Sequence, residues 1–219
     1  DSWTDSTGLS SSDGAVFWMV PDDGPTAAAV VGQITIPAGS SGTVTMGAQG
    51  RSTSGDDWNN DGITFNIGGD SGPAPPPSPP PSPPPSPPPS PPPSPPPAPG
   101  PPSSGGDNCD ATVTAVDSVD GWNTYRLSLT PTTAAADIYT IFGNTDTALT
   151  APPAYQEDAP FGANTGGVSP AFIAVSPTAA VDSWLTVGIT DGDNSGAISS
   201  IGIDWDSWTD SAGLSSSDG

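Results

Sequence analysis

Residues 75–97 read PPPSPPPSPPPSPPPSPPPSPPP, and this run, inside the wider segment 73–102, constrains the fold more than any other stretch. Each proline holds φ near about −65° and lacks a backbone N–H. A residue that precedes proline is pushed out of the helical region toward extended values. Every residue of the run is a proline or precedes one. The regular state left open is the left-handed polyproline II helix, which rises about 3.1 Å per residue, so a segment of about thirty residues spans roughly 90 Å. Such a rod joins no packed core. The globular parts of the chain must hang on its two ends.

Polyproline II has about three residues per turn, whereas the serines recur every four residues, at Ser78, Ser82, Ser86, Ser90 and Ser94. Successive hydroxyls therefore rotate by about a third of a turn and spiral around the rod. A groove of the SH3 type needs only one PxxP face. This pattern treats all faces alike, as decoration around the whole circumference requires. The alternative is a bare semi-rigid spacer.

A second constraint lies at the ends. Residues 1–14 read DSWTDSTGLSSSDG and residues 206–219 read DSWTDSAGLSSSDG, thirteen identities in fourteen at an offset of 205. Such self-similarity marks a repeating chain whose period holds one rod and one globular part. The natural globule is then 107–219 continued by the equivalent of 15–72. A domain of that size is about 40 Å across, well short of the rod. The two flanks of one chain are therefore expected to sit apart, each completing a domain with a neighbouring copy. The copies are either joined in tandem, the favoured arrangement, or separate chains that complement each other strand for strand. The boundaries follow: 1–72 is the C-terminal part of one globular repeat, 73–102 the rod, 103–106 (SSGG) a flexible joint, and 107–219 the N-terminal part of the next repeat.

The flanks are rich in Thr, Ser, Gly, Ala, Val and Ile, a composition of strands and turns. Apolar runs of strand length, bounded by Gly, Pro and Asp, lie at 15–20, 26–37, 42–48, 63–67, 111–116, 124–129, 137–142, 171–175, 184–189 and 198–203. Residues 124–129 (TYRLSL) and 184–189 (WLTVGI) alternate with period two, which turns one face to a core. No stretch carries a helical period. The expected fold class is all-β: antiparallel β-sandwich globules of about ten strands, connected by a polyproline II rod.

Charge narrows the partners. Net charge is −22, with no Lys, no His, and Arg51 and Arg126 as the only cationic side chains. Phosphate binding needs basic residues, so nucleic acid is not an expected partner, and an anionic membrane surface is excluded likewise. No apolar run approaches the roughly twenty residues of a membrane-spanning helix. No signal peptide is visible, but the sequence opens inside a motif that recurs, so this says nothing about secretion. Cys109 is the single cysteine; it is read either as an intermolecular bridge or as a free thiol.

Two Asp-rich runs have the alternate-oxygen spacing that wraps Ca²⁺. One is Asp191, Asp193 and Ser195 with Gly196 at the sixth position; the other is Asp57, Asn59 and Asp61 with Gly62. Position twelve is Gly202 or Gly68 where an EF-hand has a bidentate Glu, so a full EF-hand is excluded and affinity would be modest. The competing reading is a Gly/Asn/Asp hairpin turn. Catalysis has little to stand on. Without His or Lys there is no Ser-His-Asp triad and no Schiff base, and Glu157 beside Asp158 does not define a carboxylate pair. No catalytic residue is assigned, and the chain is read as a non-enzyme. Trp3, Trp58, Trp122, Trp184, Trp205 and Trp208 offer sugar-stacking faces or core filling. Trp184 belongs to an alternating strand and is expected in the core. Trp58 and Trp122 lie in polar turns and are the better candidates for exposure.

The SPPP run resembles the extensin-type modules of hydroxyproline-rich glycoproteins. With it, the segment VDSWLTVGITDGDNSG…IGIDWDSW resembles repeat domains of extracellular algal proteins. The whole chain is most similar to algal hydroxyproline-rich glycoproteins of cell-wall fibres or mastigonemes. Pherophorins share the globule–rod–globule plan, but their Cys-rich globules do not match a chain with one Cys. The resemblance implies hydroxylated, O-glycosylated prolines at Pro75, Pro76, Pro77, Pro79, Pro80, Pro81, Pro83, Pro84, Pro85, Pro87, Pro88, Pro89, Pro91, Pro92, Pro93, Pro95, Pro96 and Pro97. It implies galactosylated serines at Ser78, Ser82, Ser86, Ser90 and Ser94. It also implies a secreted protein of the cell surface, wall or ciliary surface, whose partners are its own neighbouring copies and covalent O-glycans. The expected function is a structural repeat of an extracellular glycoprotein filament. The alternative is a stalked carbohydrate-binding or calcium-dependent adhesion module.

Overall fold

The structure, a computed structural model, describes residues 11–69, 104–119, 121–193 and 195–208. The rod at 73–102, with its candidate glycosylation sites at 75–97, lies outside these residues. Among them the chain is mostly β. The strands are β1 (Ala15–Trp18), β2 (Ala29–Pro37), β3 (Ser41–Arg51), β4 (Asp57–Gly68), β5 (Cys109–Val119), β6 (Trp122–Pro131), β7 (Thr140–Phe142), β8 (Trp184–Leu185) and β9 (Ile198–Ile201). They form two antiparallel sheets, of order β4-β3-β7-β1-β9 and β5-β6-β2-β8.

Strand order joins the two lengths of chain in one domain: strands from before and after the rod interleave in both sheets. β7 lies between β3 and β1, so Ile141 stands opposite Ala48 on one side and Val16 on the other. β2 lies between β6 and β8, with Gln33 opposite Arg126 and Trp184. Neither flank holds a complete sheet by itself. Gly69 and Ser104, which flank the proline-rich segment in sequence, both lie at one sheet edge. Ser104 exchanges two backbone hydrogen bonds of 3.1 Å with Thr64 of β4. Gly69 is five residues along from Thr64, roughly 17 Å at the rise of a strand. Ser104–Gly106, read as part of a flexible joint, is pinned by these bonds and by Gly106 N–H donating to the Cys109 carbonyl at 2.9 Å.

Both sheets feed one core. Val16, Val44, Met46, Ile63, Phe65, Ile67 and Ile141 come from the first sheet. Val31, Ile34, Ile36, Cys109, Leu127, Leu129 and Leu185 come from the second. The alternation at 124–129 is real: Leu127 and Leu129 enter the core, with Tyr125 packed against it, while Arg126 faces away toward Gln33. In 184–189 the alternation also holds, with Leu185 and Val187 in the main core and Trp184 in a second cluster beside Val168 and Ala179. Only Trp184–Leu185 pairs as a strand there. Residues 171–175, expected as a strand, instead enter a helical turn α1 (Pro170–Ile173). Ser169 caps it by accepting the Phe172 N–H at 3.3 Å, and Pro170 at the first helical position has its φ already set. Local capping outweighed the apolar composition of the stretch.

The interleaving makes a measurable claim. Ile141→Ala should cost about 2–5 kcal/mol, the usual price of a truncated core Ile. It should do so in a single cooperative urea transition with a lowered midpoint, because β7 ties strands of both flanks. Two separate transitions, one per flank, would contradict the shared core.

Candidate functional site

The residues that flank the SPPP-bearing segment, Gly69 and Ser104, both lie along the β4 edge. At this edge Ser41, Gly42, Thr43, Asn66, Ile67, Gly68 and Gly69 line a shallow groove. The side chains of Thr64 and Ser104 add a 2.9 Å hydroxyl contact to their backbone pairing. The insert is thus anchored by a strand edge.

The two Asp-rich runs differ in geometry. Asp57, Asn59 and Asp61 lie in β4, an extended strand, where a hairpin turn or a wrapping loop was expected. The register slips between Met46 and Ala48 of β3, opposite Asp61 and Gly62, and Gly62 has φ of 67°. The turn-like sequence is therefore a bulge inside a strand. These residues are held by a paired strand and its bulge and not by a loop that wraps. Their carboxylates are also engaged: Asp57 pairs with Arg51, and Asp61 accepts from the Asn144 amide at 2.7 Å. Asp191, Asp193 and Ser195 do share a loop. Asp193 N–H donates to the Asp191 carboxylate at 3.2 Å, and the Ser195 hydroxyl donates to Asp193 at 2.5 Å. Among the described residues no group of three or more His, Cys, Asp or Glu side chains converges as a metal centre would.

Both arginines are engaged. Arg51 pairs with Asp22 at 3.0 Å and with Asp57, and lies 5.6 Å from the Tyr139 ring centre. These hydrogen bonds hold its guanidinium pKa above the ordinary value. Arg126 donates to Gln33 at 3.0 Å and lies over the Trp184 ring; burial lowers its pKa.

The aromatic side chains divide differently from the sequence reading. Trp184 is buried as expected. Trp58 is not an exposed turn residue: it is 5% exposed in β4 and donates to the Asp137 carbonyl at 3.1 Å. Trp122 is half-buried, its ring 5.5 Å from that of Tyr155. Trp208 is buried and Trp205 half-buried, while Trp3 lies outside the described residues. Cys109 is a free, fully buried thiol, and burial pushes its pKa up. Of the two readings this geometry fits the free thiol, because thiolate chemistry needs access and a lowered pKa.

A polar cluster escaped the sequence reading. Asp182 is 0% exposed. Its carboxylate accepts from the backbone N–H groups of Glu157 (2.8 Å), Ala163 (2.7 Å) and Ser183 (3.0 Å). Burial raises its pKa to about 7, although the three N–H groups pull the other way. Glu157 beside it accepts from Tyr155 (2.6 Å) and Ser176 (2.7 Å). Burial opposes its ionisation, yet these bonds hold its pKa below the ordinary value. The Tyr155 hydroxyl is pushed to about 12, by burial first and then by its bond to Glu157. The sequence signal was present but unused: Asp182 opens one of three DSW triplets, the others at Asp1 and Asp206. The cluster ties the loop 155–183 to β2. Ser183 Oγ accepts from Thr35 N–H at 2.9 Å, and Gln33 donates to the Asp182 carbonyl at 2.8 Å.

No family model matches the chain, and no curated protein or solved structure matches it.

Two measurements follow from the buried groups. With its folded pKa raised from 3.8 to about 7, Asp182 keeps a proton in the folded state that the unfolded chain releases. Its contribution to stability is full below the unfolded value and is lost as pH rises through about 7. Asp182→Asn should flatten that slope. It should also cost about 1–3 kcal/mol, because the new amide nitrogen faces the Ala163 N–H. Chemical denaturation between pH 4 and 8 reads both. Cys109, in turn, should resist thiol reagents in native buffer and react promptly in denaturant; fast native labelling would contradict its burial.

Proposed function

We propose that the chain is a structural repeat of an extracellular glycoprotein filament. Its interleaved β-domain is the globule, and its SPPP segment is an O-glycosylated rod that sets the spacing between globules. The observation that carries this reading is the union of two features. The chain repeats its own fourteen-residue motif at an offset of 205, and the lengths on either side of the SPPP segment build one domain together. A sequence that repeats in this way yields globules and rods in strict alternation. The acidic surface fits the role, since a net charge of −22 attracts cations and keeps neighbouring fibres apart. In this reading the protein is no enzyme: it has no His or Lys, and its buried carboxylates serve the fold.

Glycopeptide mass spectrometry of residues 71–102 from the native source tests the proposal. Hydroxyproline with attached pentose or hexose, and hexosyl-serine at the five repeat serines, is the expected result. Unmodified proline throughout would end the glycoprotein reading. A stalked sugar-binding module stands as a second reading because Trp122 is only half-buried. A glycan-array signal lost in Trp122→Ala would favour it.

A further inference from the structure

The two copies of the fourteen-residue motif supply different parts of one place in the fold. From the copy at 206–219 the described residues are Asp206, Ser207 and Trp208; from the copy at 1–14 they are Ser11 to Gly14. Trp208 is 2% exposed, and its indole N–H donates to the Pro152 carbonyl at 3.1 Å. Ser11 exchanges two 3.0 Å backbone hydrogen bonds with Leu149, and its hydroxyl donates to the Gly202 carbonyl at 3.0 Å. Gly14 accepts from Gly143 N–H at 2.8 Å. A Cβ on Gly14 would lie 2.2 Å from Ser11 Oγ and 2.8 Å from Ile203, so the place demands glycine, and Gly219 stands at the equivalent position.

Leu149 and Pro152 are three residues apart on one segment, so the anchors for the two ends of the motif are about 10 Å apart. Within one copy, the tryptophan and the first serine of the final SSDG are eight positions apart, a reach of up to roughly 27 Å. One copy of the motif therefore reaches from the Trp208 seat to the Ser11 seat with slack. No described contact is made twice.

We propose that the motif is the joint between consecutive copies. Residues 206–219 of one copy run directly into residues 15–69 of a second copy, and residues 107–219 with that second 15–69 close a single domain. β1 to β4 of the second copy then take the places that β1 to β4 occupy in the fold described above. The SPPP segment passes from one domain to the next. The partner is a second copy of this chain joined end to end, and the proposal rests on the reading of the chain as a repeat.

Linker arithmetic favours this path. Effective concentration is highest when a linker's length matches the span it must cover, and it falls steeply when the linker is far too long. The joint through the motif matches its short gap. The other path crosses residues 70–103, whose proline content favours a straight course of about 90 Å, against roughly 17 Å between the edge positions it would connect.

A chain of two periods, residues 1–219 followed by 15–219, tests the joint. A protease site replaces residues 98–101 in each copy, and the folded protein is cut at both. The middle fragment, which runs from 102–219 into 15–97, should emerge in native mass spectrometry as a folded monomer, free of the first and last fragments. A complex of all three fragments would show that each insert's own flanks pair, and would overturn the proposal. A permuted chain, 104–219 followed directly by 15–69, keeps the distinction if the long chain folds poorly. It should be monomeric with one thermal transition and the tryptophan emission of the 1–219 chain. Aggregation, or the lack of a transition, would overturn the joint. Neither readout involves glycans or filaments, so failure here is distinct from failure of the filament reading.

Discussion

The insertion of β7 between β3 and β1 is the constraint on which the rest of the structure depends. β7 is only three residues long, yet Ile141 meets Ala48 and Val16 across its two ladders. Removing it would leave β3-β4 and β1-β9 as separate pairs, and two-stranded units are marginal in water. The same logic acts in the other sheet, where β2 divides β6 from β8. Interleaving of this kind means that neither flank of the SPPP segment buries enough apolar surface alone. It binds the two lengths into one cooperative body, and it makes covalent connectivity between them a separate question from packing.

β2 shows how both faces of a central strand are used. Ile34 and Ile36 enter the apolar core, while Gln33 and Thr35, also buried, face a polar layer. That layer is satisfied group by group. Gln33 bridges Arg126 and the carbonyls of Ala180 and Asp182, and Thr35 shares a 2.8 Å hydroxyl contact with Thr124. Buried polar groups are costly unless paired, so this network holds the loop 155–183 in one arrangement over the strand. Asp182 is its anchor, with three backbone N–H groups converging on one carboxylate.

Much of the strand plan was legible because period-two alternation reports burial directly: Leu127, Leu129, Leu185 and Val187 all lie where that alternation put them. The failures have local causes. Asp57–Gly62 resembled a turn, since Asp, Asn and Gly favour turns, but the pairing of β3 with β4 absorbs Asp61 and Gly62 as a bulge. Trp58 looked exposed among polar neighbours, yet in a strand its neighbours point the opposite way and its own ring points inward. Residues 171–175 carried apolar side chains fit for a strand, and Ser169-Pro170 turned them into a helical start. The DSW triplet marks Asp182 in the sequence, but its role was not legible there, because two of its three donors, Glu157 and Ala163, are distant in sequence.

By itself the sequence determined the chemistry that depends on residue type and on periodicity. Proline at nearly every position of 75–97 excludes that segment from any core, a fourteen-residue motif recurs at an offset of 205, and the absence of Lys and His sets the acidic character. The all-β class followed from alternation and turn residues. Only the tertiary structure decided which strands neighbour which, because backbone pairing carries little residue code and register is chosen by the shared core. It therefore decided that the lengths before and after the proline segment interlock. It also placed the tryptophan of one motif copy and the SSDG of the other against a single short segment, Leu149 to Pro152.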